Sequence, residues 1–254
     1  MNPDVKISII TVCYNSEDTI QDTIESVLTQ DYPNVEYIII DGKSHDSTIS
    51  IIHQHKEYIS KFVSEPDDGI YDAMNKGIFT ATGEIVGILN SDDVYSNPTI
   101  LSSIVHVFSE KSVDCVYGDI AYVNEKDLKK PVRIWKSSTF LPNSFSSGWH
   151  PPHPSFFVRR QIYELFGSFD LNFEISADFE LMLRFLEKEK ISSSYIPQSI
   201  VNMRTGGVSN SGIFNIIKGN INILRAFKKN NIPHHPLYPI LRMMMKLRQF
   251  QFST

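Results

Sequence analysis

Three runs of aliphatic and β-branched residues, each ending in polar or acidic side chains, constrain this chain most. The first, Lys6 to Tyr14, is nearly continuously apolar, as expected of a central parallel strand buried on both faces. Asn15-Ser16-Glu17-Asp18 then predicts a helix start, with Ser16 as N-cap and acids in the first turn. Ile20, Ile24, Val27 and Leu28 recur at helical spacing and form its predicted buried face. Val35 to Ile40 is a second strand, ending at Asp41-Gly42, and Glu84 to Leu89 is another, ending at Asn90-Ser91-Asp92-Asp93. Between these two, Asp46-Ser47-Thr48 begins a helix and Lys61 to Glu65 forms a short strand. A helix over Gly69 to Thr80 then turns Ile70, Ala73, Met74, Gly77 and Ile78 inward. Strands alternating with helices predict an α/β protein with a mostly parallel sheet. Ligands of such sheets bind beyond the carboxyl ends of the strands. Asn15, Asp41, Asp92 and Asp93 all fall at such ends, so the sheet would gather them at one site.

Two adjacent carboxylates cannot both be buried bare, because each disfavours the other's charge. Asp92-Asp93 therefore reads in two ways. It is either a polar turn capping a helix that starts near Pro98, or a site for Mg²⁺ or Mn²⁺ shared with substrate phosphates. Beyond Asn97, Leu101, Ile104, Val105 and Phe108 make one more helix face. Cys115 to Val123 and Val132 to Trp135 predict a strand pair around a polar loop, Asn124 to Lys130. Helices are expected over Gln161 to Phe166, Ala177 to Leu186 and Ile213 to Phe227.

The 254 residues suit one large α/β domain, or one domain with an appendage. There is no run of about 18 apolar residues, and the opening Met-Asn-Pro-Asp-Val-Lys has no basic leader, so a cytoplasmic protein is expected. Cys13 and Cys115, in apolar surroundings, read as buried reduced thiols. Charge is unevenly distributed. Residues 1–189 hold 15 Lys and Arg against all 29 acids, a balance of −14. The last 65 residues hold nine Lys and Arg and no acid. With Leu237, Ile240, Leu241 and Met243 to Met245 among Arg242, Lys246 and Arg248, the tail reads as an amphipathic segment on an anionic membrane. The alternative is a terminal helix packed on the domain with its cations in solvent. No nucleic-acid reader motif accompanies the basic residues, so no nucleic-acid partner is expected.

Four ordered blocks resemble family 2 glycosyltransferases. Ile9-Ile10-Thr11-Val12-Cys13-Tyr14-Asn15 is similar to their opening strand, and Ile38 to Thr48 to their second strand and its D-G-S-x-D-x-T loop. Gly69-Ile70-Tyr71-Asp72-Ala73-Met74-Asn75-Lys76-Gly77, followed by Ala81-Thr82-Gly83-Glu84, resembles the helix before the metal motif. Ser91-Asp92-Asp93 stands where the family has its DxD motif. The wording of the third block resembles the bacterial O-antigen and exopolysaccharide branch. The resemblance implies a GT-A fold: a Rossmann-like, mostly parallel sheet flanked by helices, with a C-terminal helical tail. It places the GT-A domain at 1–212, with a donor half to about 97 and an acceptor half from about 98, and a basic helical extension at 213–254.

The resemblance also implies inverting transfer of a sugar from a nucleotide-diphosphate donor, UDP favoured, with Mn²⁺ or Mg²⁺ as cofactor. The acceptor would be a glycan or lipid-linked, and the enzyme would sit peripherally on the inner face of the cytoplasmic membrane. Thr11, Tyr14, Asn15, Asp41, Asn75, Lys76 and Asp92 would bind the nucleotide sugar; Asp41 would accept from the base, Asp92 would lie by the ribose, and Asp93 would ligate the metal. Two positions depart from the common pattern: Asn90 replaces an acid, and Met74 stands where an Arg is frequent, with Lys76 a nearby substitute cation. These departures motivate an alternative, a non-catalytic nucleotide-sugar-binding or assembly subunit.

An inverting transfer needs one base to take the acceptor hydroxyl proton. Ser176 to Arg184 resembles the segment carrying it, with Asp178 as the catalytic base and Glu180 the fallback; either acid otherwise serves as a helix cap or first-turn acid. Asp119, His153 and Arg204 are further candidates at the donor sugar or acceptor. Asp119 alternatively closes a strand. His153, with Trp149 and His150, alternatively belongs to a packed turn. Met203 to Ser209 reads as a mobile flap carrying Arg204 to a phosphate, or as an ordinary surface loop.

Overall fold

A computed structural model describes residues 5–124, 127–205 and 213–247. The first four strands are β1 (Ile7–Cys13), β2 (Val35–Asp41), β3 (Lys61–Ser64) and β4 (Ile85–Ile88). They pair in the parallel order β3-β2-β1-β4, with Cys13 opposite Asp41, Asp41 opposite Ser64 and Ile10 opposite Ile88. This register brings the loops after all four strands to one edge. Helices α1 (Ile20–Leu28), α2 (Thr48–Gln54) and α3 (Ile70–Thr80) make the crossovers.

The second half extends the same sheet. It contains β5 (Asp93–Tyr95), α4 (Ile100–Lys111), β6 (Cys115–Asn124), β7 (Asp127–Trp135), β8 (Phe157–Arg159), α5 (Arg160–Phe166), α6 (Ala177–Leu183) and β9 (Ser193–Arg204). The order continues β4-β8-β6-β9-β5, with β7 alongside β6. β6 and β9 run in the direction of the first four strands, while β5, β7 and β8 run against it, so the sheet is mostly parallel.

Alternation along the strands builds two cores. Ile7, Ile9, Tyr37 and Ile39 face α1 and α4, whose Ile24, Val27, Leu101, Ile104 and Phe108 are buried. Ile10, Val12, Ile38 and Ile40 face α3, α5 and α6. Helix α3 lies so close to β1 that a Cβ on Gly77 would sit 2.3 Å from Ile10 Cγ2. Cys13 and Cys115 are buried free thiols, as expected.

Several details differ from expectation. Ser16 does not cap α1: the helix starts at Ile20, and Ser16 heads a preceding turn whose carbonyl accepts from Thr19 and Ile20. Ile70 is 49% exposed, because it opens α3 at the edge of the cleft. Most of the polar stretch before Val132 is strand, since β7 begins at Asp127 and uses polar side chains on an exposed ribbon.

The C-terminal segment is not a separate appendage. Helix α7 (Ile213–Lys229) buries Asn222, Ile223, Ala226 and Phe227 against α6, and α8 (Tyr238–Leu247) buries Tyr238 in the same core. Among the described residues no helix is long and apolar enough to cross a membrane.

Candidate active site

Strand β4 ends at Ile88, and a turn of Asn90, Ser91 and Asp92 leads into β5 at Asp93. Asp92 is half-buried, whereas Asp93 has no exposed surface. Asn90 Nδ2 lies 3.4 Å from Asp93 Oδ2 as donor, but Asn90 Oδ1 and Asp93 Oδ1 are buried with no hydrogen-bond partner. Burial raises the Asp92 carboxyl above the ordinary carboxylate range, and burial and the adjacent Asp92 charge push Asp93 well above it. Two orphaned hard oxygens beside a half-exposed carboxylate fit a divalent cation better than they fit a polar turn, which would satisfy its own groups. Among the described residues no three or more His, Cys, Asp or Glu side chains cluster into a cage of their own.

Arg204 fixes this turn from β9. Its Nη1 donates to the Asp92 carbonyl at 2.7 Å, and its Nη2 pairs with Asp22 on α1. Arg204 is thus 6% exposed and strand-bound, not carried on a flap; residues 206–212 lie outside the described residues. Ser16 Oγ and Ser91 Oγ, 2.8 Å apart, join the turn to the loop after β1.

That loop meets the loop after β2. Asn15, at φ 47°, accepts from the His45 amide through Oδ1, while its own amide donates to Ser44 Oγ. Asp41 is fully buried. It accepts from the Ser44 hydroxyl and amide and, at 2.6 Å, from Ser64 Oγ, with the Cys13 thiol 3.6 Å away. Its carboxylate therefore organises the loop and is not free to accept from a base. Thr11 is also corrected: it points into the α1 side of the core and its hydroxyl meets Tyr37 Oη at 3.1 Å. Tyr14, just past the carboxyl end of β1, is 58% exposed. Its ring lies over Gly42, where an added Cβ would come 2.5 Å from Asp67 Oδ2 and 3.4 Å from Tyr14 Cδ2. A flat aromatic beside a carboxylate can carry a nucleobase.

Asn75 and Lys76, expected at the nucleotide sugar, are engaged within the protein. The Asn75 amide makes a two-way 2.9 Å exchange with the Phe169 backbone, and Lys76 bonds the Pro66 carbonyl, Glu65 and Asp72. Both hold α3 in place.

A second cluster lies at the start of α3 and α6. Tyr71 Oη donates to Asp178 Oδ1 at 3.1 Å. Burial and the Asp178 charge hold the Tyr71 phenol well above its usual value, so it stays a neutral donor. Asp178 is half-buried in the first turn of α6, behind Ser176 at φ 75°. His153 joins the cluster with its ring 5.5 Å from Phe169, which also stacks 5.4 Å from Tyr71. Burial lowers the His153 pKa, partly opposed by the Asp178 charge, so the imidazole is neutral at pH 7. A pocket lined by Asp68, Gly69, Ile70, Tyr71, Leu171 and Glu174 opens beside this cluster.

Other candidates have structural roles. Glu180 is fully buried in an ion pair with Arg184 at 3.2 Å and accepts from Asn230, which excludes it as an accessible base. Asp119, in the middle of β6 where its register with β9 shifts, accepts from the Ser137 amide and Tyr195 Oη. Trp149 and His150 pack among Tyr117, Trp135, Phe145 and Phe179. The sequence reading missed Tyr71 as a partner of Asp178, because 107 positions separate them; its only local signal is an aromatic in the first turn of a helix.

The fold is shared with solved glycosyltransferase structures. S. aureus TarS 1–349 in complex with UDP superposes with a TM-score of 0.69 at 19% identity, over 98% of this chain and 72% of that one. The mannosyltransferase PcManGT from Pyrobaculum calidifontis, in complex with GDP-Man and Mn²⁺, gives 0.65 at 20% identity, over 96% and 71%. The chain belongs to glycosyl transferase family 2, whose model matches residues 8–166. An uncharacterized glycosyltransferase of Mycobacterium tuberculosis is 33% identical over 183 residues, 70% of this chain and 68% of the relative. The poly-beta-1,6-N-acetyl-D-glucosamine synthase of Staphylococcus epidermidis is 43% identical over 124 residues, 48% of this chain and 30% of the synthase.

Proposed function

We propose that the protein is an inverting, divalent-metal-assisted glycosyltransferase of cell-surface polysaccharide biosynthesis. It moves a hexosyl or N-acetylhexosaminyl group from a nucleoside-diphosphate donor to a glycan or lipid-linked acceptor. The observation that carries this reading is the end of β4, where Asn90 Oδ1 and Asp93 Oδ1 are buried without partners next to half-exposed Asp92. Mn²⁺ or Mg²⁺ characteristically takes one or two carboxylates and completes its shell with substrate phosphates. Asp92 would present the ion to the diphosphate, with Asp93 and Asn90 supplying oxygens from behind. When bound, the ion neutralises the charge that develops on the departing nucleoside diphosphate. In this reading the half-exposed Asp92, rather than the fully buried Asp93, would face the diphosphate, a different division of labour from the one expected.

Tyr14 would carry the base and Arg204 would hold the Asp92 turn through its carbonyl. Asp178, oriented by Tyr71, takes the proton of the acceptor hydroxyl as its oxygen bonds to the anomeric carbon. The bond from that carbon to the phosphate oxygen breaks, and the nucleoside diphosphate leaves with the electron pair. A UDP-sugar donor is favoured by the UDP and UDP-GlcNAc complexes of TarS, while PcManGT, bound to GDP-Man, makes GDP-sugars the second arm of the test. The similarity to a poly-N-acetylglucosamine synthase supports an exopolysaccharide product.

Sugar release from UDP-GlcNAc, UDP-glucose and GDP-mannose with Mn²⁺ tests the reading. One donor should turn over, and Asp92→Asn should reduce that rate by about a hundredfold or more. Nucleotide binding with no turnover on any donor or acceptor would favour a binding subunit instead.

A further inference from the structure

We infer that the outward faces of α7 and α8 dock the protein on an anionic lipid bilayer. Both helices are apolar on two sides. Their inner faces bury Ile223, Ala226, Phe227 and Tyr238 in the core. The outer face of a surface helix is ordinarily polar. Here Ile217 and Ile221, one turn apart on α7, are 52% and 53% exposed. On α8, Ile240, Met243 and Met244 are 51%, 58% and 48% exposed. Arg242 Nη1 donates to Asn220 Oδ1 at 2.8 Å, which fastens α8 to α7 and sets the two stripes on adjoining helices.

Charge identifies the occupant. Neither α7 nor α8 contains an acid; Lys218 and Lys229 pair with Glu174 and Asp170, while Arg204, buried against Asp22, lies away from this face. An apolar stripe on two helices that also carry Arg225, Lys228 and Arg242 and no acid of their own fits a surface that is hydrocarbon below and anionic at its face. A bilayer containing anionic lipid has both properties. Docking here also bears on the site: Asn222 Nδ2, on the inner face of α7, donates to the Ile175 carbonyl at 2.9 Å, three residues before Asp178. The membrane-seated helix is therefore the one that braces the proposed base segment. Docking does not depend on the proposed reaction, and its test is independent of turnover.

Flotation of the full chain with vesicles of phosphatidylcholine alone, or of equal parts phosphatidylcholine and phosphatidylglycerol, tests this. Binding should require phosphatidylglycerol and weaken with added salt. Ile240→Glu with Met243→Glu, and separately Ile217→Glu with Ile221→Glu, should weaken it by about tenfold or more. These side chains are exposed, so the variants should melt at the wild-type temperature; a double variant with a lowered melt is replaced by its single substitutions. Wild-type protein that ignores anionic vesicles, or variants that bind as well as wild type, would overturn the proposal. So would a homodimer in sedimentation that the same substitutions dissociate, since the face would then be a contact between copies.

Discussion

Three buried carboxylates meet burial in three different ways. Asp41 is saturated by internal donors, Glu180 is paired with Arg184, and Asp93 keeps one oxygen without a partner. Burying a carboxylate is costly unless its charge is compensated, so only the third implies a ligand from outside. The sequence places all three beside strand ends or helix starts, but it cannot reveal which donors converge on each. Thr11 was misread for a related reason: alternation puts every second β1 residue on one core face, and Thr11 shares the parity of Ile9, away from the cleft. The place of Asp178 in the first turn of α6 was legible because a polar start precedes a run of apolar helix residues. The two α6 acids should separate cleanly. Asp178→Asn should lower kcat by about 10²–10⁴-fold without changing donor affinity or melting temperature. Glu180→Gln should instead cost about 3 kcal/mol of stability by leaving Arg184 buried and unpaired, read by urea unfolding.

At the scale of elements, strand and helix order was legible because period-two and period-3.6 hydrophobicity are local signals. The ends were less so: β7 begins earlier than its apolar residues suggest, and α6 continues into a π-helical turn, Arg184–Lys188, shaped by contacts far along the chain. One polar cross-link between elements was not legible. Glu36 on β2 accepts from Ser8 on β1 at 2.6 Å, from the Thr82 amide and hydroxyl, and from Lys6. Burial alone would raise its pKa, but these hydrogen bonds outweigh it and lower the value from 4.5 to about 2. A depressed carboxylate contributes stability that is fully present above its unfolded value and disappears as pH falls toward its folded value. Glu36→Gln should thus cost about 2–3 kcal/mol near neutral pH, and the difference from wild type should close between about pH 4.5 and 2. A pH-independent difference, measured by denaturant melts, would contradict this assignment.

At the scale of the whole molecule, the sheet joins the N-terminal strands to those of the second half through β4-β8-β6, and α7 closes the core beneath α6. The sequence left the basic extension at 213–254 as either a membrane-surface segment or a terminal helix packed on the domain, because charge describes the surface and not what lies under it. Truncation after residue 212 should therefore yield unfolded or insoluble protein, since it uncovers the α6 core that Ile223, Ala226 and Phe227 seal. A folded, cooperative melt of that truncation would show the tail to be separable. The convergence of strand ends on one edge was the most legible global feature, because parallel βαβ topology dictates it. The proposed cation site at the end of β4 would be completed by a nucleoside diphosphate. Calorimetric titration of UDP and GDP, each with and without Mn²⁺, tests it most directly, using wild type and Asp92→Asn. One nucleotide should bind at least about tenfold more tightly with Mn²⁺, and the substitution should abolish that gain. Equal affinity with and without Mn²⁺, or an Mn²⁺ gain that survives in Asp92→Asn, would contradict it.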